Sequence, residues 1–217
     1  MNQDLAQIVT YYATKPHEEL SKLLLNKSKD NLIASLNDLL TAYMNDKNSS
    51  SLREFVTVSI SGYEHNANKL GYNGYKHNTD IGGEPVNCEA KPKNIQTEGY
   101  DLRKSKPKLN GEGGFNDYTV KRLEKDKENN LNLLCSGFID GELQYILEFP
   151  FEAIYERLKQ ELTKIKGPYL RSAIFNFSHY QDFKAVNVVY ANQKSIISNQ
   201  KYFNKKLLTF LTTPNNG

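Results

Sequence analysis

The stretch NGYKHNTDIGGEPVNCEAKPKN, Asn73 to Asn94, decides how this chain is read, because it carries the pattern of a β-hairpin. Gly82-Gly83-Glu84-Pro85 supplies turn chemistry, and Val86-Asn87-Cys88-Glu89-Ala90-Lys91 alternates small apolar with polar residues. Successive strand side chains point to opposite faces, so Val86, Cys88 and Ala90 face a core while Asn87, Glu89 and Lys91 share the other face. A four-residue turn centred on Gly83 and Glu84 pairs Asp80 with Asn87 and sets Asp80 diagonal to Glu89. Diagonal neighbours stand about 7–8 Å apart at the backbone, close enough for two carboxylates to converge on one hard cation. Lys91 lies one step further along the same face, where an ammonium orients a water or offsets charge building on a phosphate.

An acid followed by Glu-x-Lys on a strand resembles the PD-(D/E)xK nuclease superfamily, and a chain of 217 residues is similar in size to type II restriction endonucleases. Members carry an acid at the end of one strand and (D/E)-x-K on the next, which Asp80, Glu89 and Lys91 match residue by residue. The likeness covers only Asp80 to Lys91. Thr79 stands where the motif has proline, and the short spacer requires the tight GGEP turn. The resemblance implies an α/β fold with a central mixed sheet flanked by helices, and Mg²⁺ held by Asp80 and Glu89. It also implies in-line hydrolysis of double-stranded DNA at a short specific sequence, with Lys91 assisting the attacking water. A homodimer on a palindrome and a cognate DNA methyltransferase as genetic partner complete what it implies. Asp182-Phe183-Lys184 repeats the acid-x-Lys spacing, but the segment before it, Arg171 to Phe177, carries no acid. Two other classes fit the same residues: a non-catalytic nucleic-acid-binding protein, and a repair or structure-specific nuclease. The plainest alternative is an ordinary hairpin with a solvated polar face.

Charge patterning favours a polyanionic partner. The net charge is +3, yet from Leu162 onward Asp182 is the only acid among Lys164, Lys166, Arg171, Lys184, Lys194, Lys201, Lys205 and Lys206. A second basic run, Arg103-Lys104-Ser105-Lys106-Pro107-Lys108, follows the hairpin. Residues 92–118 read as a long polar loop, and loops of that length in compact domains usually carry function. Lys93, Asn94, Arg103, Lys104, Lys106 and Lys108 are therefore expected at phosphates, and Asn110, Asn116 and Tyr118 at base edges or phosphates. Glu64 is a candidate additional acid; Glu54, Glu112, Asp117 and Asp140 are further carboxylates near the hairpin or the following strands. Tyr63, Tyr72, Tyr75 and Tyr100 have the chemistry to stack on bases.

Other chemistries lack their signatures. Cys88 and Cys135 fall at apolar strand positions without zinc-ligand spacing, so reduced core thiols are expected. Gly111-Glu112-Gly113-Gly114 does not follow a strand and open a helix, which excludes a nucleotide-binding phosphate loop. No apolar run spans a bilayer and no export signal follows Met1, so a cytoplasmic protein is expected.

The expected organisation is a helical region over 1–50 packed on an α/β core over 51–217. Helices are read at 4–14, 18–26 and 31–43, the last capped by Asp30, with Leu24, Leu25, Leu32, Ile33, Leu36, Leu39 and Leu40 as buried stripes. Strands are read at 55–61, 118–123, 131–139, 143–149, 171–177 and 186–191, and helices at 151–165 and 204–211. Asp140-Gly141 is a strong hairpin turn.

Overall fold

The computed structural model describes residues 3–46, 50–66, 71–77, 84–98, 109–165 and 167–213. The chain forms two compact units, Met1–Ser50 and Ser51–Gly217. The first contains α1 (Gln3–Thr14), α2 (His17–Leu25) and α3 (Lys29–Asn45). Lys27, just past α2, reaches back to α1 through Asp4 at 2.6 Å and Gln7 at 2.9 Å. Ser28, not Asp30, caps α3, accepting the Asn31 N–H with its hydroxyl. The expected apolar stripe is largely open to solvent: Leu25, Ile33, Leu36, Leu39 and Leu40 are all exposed, and only Leu24 and Leu32 are half-buried.

The second unit is α/β, built on a mixed central sheet flanked by helices. The strands are β1 (Glu64–His65), β2 (Gly74–Lys76), β3 (Val86–Ile95), β4 (Gly113–Tyr118), β5 (Leu131–Ile139), β6 (Glu142–Pro150), β7 (Leu170–Phe175) and β8 (Asn187–Ala191). The central sheet has the order β1-β2-β3-β5-β6-β8, with β3 parallel to β5 and every other pairing antiparallel; β4 and β7 form a separate antiparallel pair. A parallel pair needs a crossover, supplied here by β4 and α5 (Val120–Glu128). The remaining helices are α4 (Ser51–Ile60), α6 (Glu152–Lys164), α7 (Gln193–Ser198) and α8 (Lys205–Thr212).

One expected strand is a helix and a second is helical over most of its length. Residues 55–60 belong to α4, which buries Arg53, Thr57 and Val58 at helical spacing, and Ser61 follows it in a turn. The Thr57 and Ser136 hydroxyls meet at 2.6 Å, tying the helix to β5. Residues 118–123 split at Thr119, whose hydroxyl accepts the Arg122 N–H and starts α5. The expected 92–118 loop is shorter than its composition suggests, because β3 continues to Ile95 and β4 begins at Gly113. Pro92 is tolerated because it lies beyond the stretch of β3 that β2 pairs, Val86 to Cys88.

The two faces of β3 enter different clusters. Cys88 and Ala90 pack with Val58, Tyr63 and Leu134 under α4. The opposite face belongs to the larger, aromatic-rich core, where Phe149 stacks on Tyr180 with centroids 3.9 Å apart and Phe115 stacks on Tyr118 at 4.7 Å. Asp140 (φ 48°) and Gly141 (φ 82°) make the β5–β6 turn with both central residues left-handed, as Asp-Gly chemistry favours.

Candidate functional site

Alternation along β3 puts Glu89 and Lys91 on one face, opposite Leu133 and Cys135 of the parallel neighbour. This face is covered rather than solvated: the two side chains are only 14% and 18% exposed. Lys91 Nζ donates to Glu89 Oε1 at 2.8 Å and sits 4.5 Å from the centre of the Phe115 ring. The other carboxylate oxygen, Glu89 Oε2, is buried with no hydrogen-bond partner among the described residues. A buried carboxylate oxygen left unmatched costs free energy unless a water, an ion or a ligand atom meets it.

Glu89 and Lys91 line a recess of about 290 Å³ together with Gly114, Phe115, Asn116, Asp117, Tyr118 and Arg122. Gly113 sets how near β4 comes to Lys91, since a Cβ there would lie 2.9 Å from Lys91 Cγ and 2.5 Å from Phe175 Cζ. Asp117 adopts φ 49° and is exposed at the rim, which turns the strand before α5 begins. Arg122 Nε donates to Asp126 Oδ1 at 2.7 Å, and Asp126 is fully buried. The Asp126 carboxylate also accepts the Tyr118 hydroxyl at 2.8 Å and the Tyr72 hydroxyl at 2.9 Å. Burial, then the Asp126 carboxylate, pushes both phenols above their ordinary range.

The hairpin register differs from the one expected. β2 pairs Tyr75 with Asn87 and Lys76 with Val86, so the expected pairing of Asn87 with Asp80 is corrected: Asn87 faces Tyr75. Nine residues lie between the paired Lys76 and Val86, so the connection is longer in sequence than the four-residue turn expected. Asp80 lies outside the described residues, as do Tyr100, Arg103, Lys104, Lys106 and Lys108.

Other candidates have structural work. Glu64 accepts the Tyr75 hydroxyl at 2.8 Å on β1, two strands away from β3, and does not line the recess. Asn94 accepts the Gly141 N–H at 3.1 Å, and Asp140 accepts the Thr97 N–H at 2.8 Å, so both pin the β5–β6 turn to the end of β3. Lys93 pairs with Glu112. Asn110 leaves its Oδ1 buried without a hydrogen-bond partner among the described residues, while Asn116 is exposed and lines the recess. Tyr118 is a core residue with its hydroxyl committed to Asp126, which corrects its expected place on a DNA-reading loop. Tyr63 is likewise buried, its hydroxyl donated to Glu148, which also holds Lys76 at 3.3 Å and Asn132 at 3.0 Å on the opposite face of the sheet.

Sequence reasoning missed Arg122 and Asp126. Their signal was the i,i+4 spacing behind a Thr N-cap, visible only once residues 120–128 are read as helix.

Among the described residues no three His, Cys, Asp or Glu side chains gather to hold a metal. The recess nevertheless fits Mg²⁺, which takes one or two carboxylates and completes its shell with water and substrate phosphate. Glu89 offers an unmatched buried oxygen and Asp117 a second carboxylate on the same recess. The chain matches no protein-family model and no curated protein.

Proposed function

We propose that this chain is a Mg²⁺-dependent endodeoxyribonuclease of the PD-(D/E)xK kind, acting on double-stranded DNA as a type II restriction endonuclease. The observation that carries the reading is Glu89 and Lys91 side by side in a polar recess, with one Glu89 oxygen buried and unmatched. The order helix, strand, strand, strand in α4, β1, β2 and β3 adds to it, since the nuclease core begins in that order. Glu89 holds the cation, with Asp80 as the partner acid by resemblance and Asp117 as a further carboxylate at the recess. Bound Mg²⁺ supplies Lewis acidity toward the phosphate and acidifies a coordinated water. Lys91, held by Glu89 and resting on the Phe115 ring, would present a fixed positive charge to the attacking water and to the pentacoordinate phosphorus of the transition state.

As a restriction enzyme the protein works as a homodimer on a short palindrome, in the cytoplasm, beside a methyltransferase that protects host DNA. Digestion of unmodified phage DNA with Mg²⁺ or EDTA, for the wild type and Glu89→Ala, tests the reading. Discrete Mg²⁺-dependent fragments that vanish in the variant support it. DNA left intact by the wild type overturns it; binding without cleavage would make the chain a nucleic-acid-binding module.

A further inference from the structure

We propose that Arg122 is the phosphate-gripping residue of this recess, held ready by Asp126. The inference rests on the nuclease reading for its substrate, and on independent geometry for its residues. Arg122 projects from the first turn of α5 and lines the same recess as Glu89 and Lys91. Its Nε is taken by Asp126 at 2.7 Å, and the side chain is 39% exposed. No partner holds the Nη groups among the described residues, so up to four N–H donors remain for a ligand. Such a fork matches two phosphate oxygens, and one engaged edge stops it rotating.

Asp126 is hard to account for otherwise. A fully buried carboxylate carries a large desolvation cost, and a hydrophobic side chain of similar volume is often as stable or more so. Here the carboxylate is met by Arg122 and by the hydroxyls of Tyr118 and Tyr72, from β4 and from the segment before β2. The arrangement ties α5 to both and fixes the direction of the guanidinium. The recess also carries the acids Glu89 and Asp117, so a phosphate entering it needs cations beyond Lys91, which is already paired with Glu89.

The test compares wild type, Arg122→Ala and Arg122→Lys on a short DNA duplex. Binding is followed across a salt series with Ca²⁺ in place of Mg²⁺, single-turnover cleavage is followed with Mg²⁺, and thermal unfolding is recorded for each protein. A phosphate contact predicts that Arg122→Ala lowers the slope of log Kd against log salt by about one and slows cleavage roughly a hundredfold. Arg122→Lys keeps the slope, because it keeps a charge, but loses the fork and still cuts slowly. A purely structural Arg122 would lower Tm and leave the salt slope unchanged, and that result overturns the inference. If Arg122→Ala does not fold, an Arg122→Lys enzyme that cuts at the wild-type rate overturns it equally. A wild type that binds but never cuts sinks the nuclease reading alone, provided the Arg122→Ala slope still falls. A wild type that does not bind the duplex at all sinks both.

Discussion

Glu89 and Lys91 stand two residues apart on β3 with Oε1 and Nζ 2.8 Å apart, while the second Glu89 oxygen is buried without a hydrogen-bond partner among the described residues. An ion pair serving stability alone gains nothing from that unmatched oxygen. Glu89→Gln is therefore expected to slow Mg²⁺-dependent cleavage by roughly a thousandfold, several kcal/mol of transition-state stabilisation. Unfolding of the same variant should stay within about 1 kcal/mol of wild type, since the amide keeps the shape. Single-turnover cleavage beside a denaturant titration checks both; a large stability loss with activity retained would return Glu89 to a structural role.

Asp126 is the buried acceptor for Arg122, Tyr118 and Tyr72. Asp126→Ala leaves the buried Tyr118 hydroxyl, the half-buried Tyr72 hydroxyl and a guanidinium without that acceptor and should cost about 3 kcal/mol. Urea unfolding reads this as a lower midpoint at unchanged slope. A midpoint equal to wild type would mean the three donors find other partners.

Gly113 lets β4 approach Lys91. A Cβ at that position lies too close to both Lys91 Cγ and Phe175 Cζ, so both side chains, or β4 itself, have to shift. Gly113→Ala should lower stability by about 1–3 kcal/mol and also slow cleavage, because the ammonium is displaced from its place beside Glu89. Gly114→Ala is the control, with its closest neighbour, the Ala173 carbonyl oxygen, 3.2 Å from the added Cβ. The activity of the two variants should therefore differ more than their unfolding midpoints.

Burial pushes the Cys135 thiol up to about 12, and burial raises Cys88 as well. The unfolded chain loses these protons near pH 8.5, whereas the folded chain keeps them, so the contribution is complete below that pH and is lost as pH rises toward 12. The buried phenols of Tyr63, Tyr145 and Tyr180, raised first by desolvation, act in the same direction above pH 10. Unfolding free energy is expected to fall steadily from about pH 9 upward. Both thiols should resist a thiol reagent at pH 8 until denaturant is added; rapid labelling of the native protein would contradict their burial.

Much of β3 was legible from its residues, because a two-residue period has one physical meaning: Cys88 and Ala90 had to face one way and Glu89 and Lys91 the other. The Asp140-Gly141 turn was equally plain, since few residues tolerate two successive left-handed conformations. The helix at α6 followed from its apolar spacing and the Gly167-Pro168 stop.

Tertiary structure decided the rest. Phe55 to Ile60 is rich in β-branched residues and looks like a strand, but Arg53, Thr57 and Val58 are buried at helical spacing, and packing outweighs a propensity worth tenths of a kcal/mol per residue. The hairpin register was beyond the sequence because a loop between Lys76 and Val86 has many lengths of turn open to it, each pairing different residues. Whether the Glu89–Lys91 face met water or a recess depended on β4 and α5, which arrive from elsewhere in the chain. Local periodicity determines which side chains share a face; only the folded chain determines what that face meets.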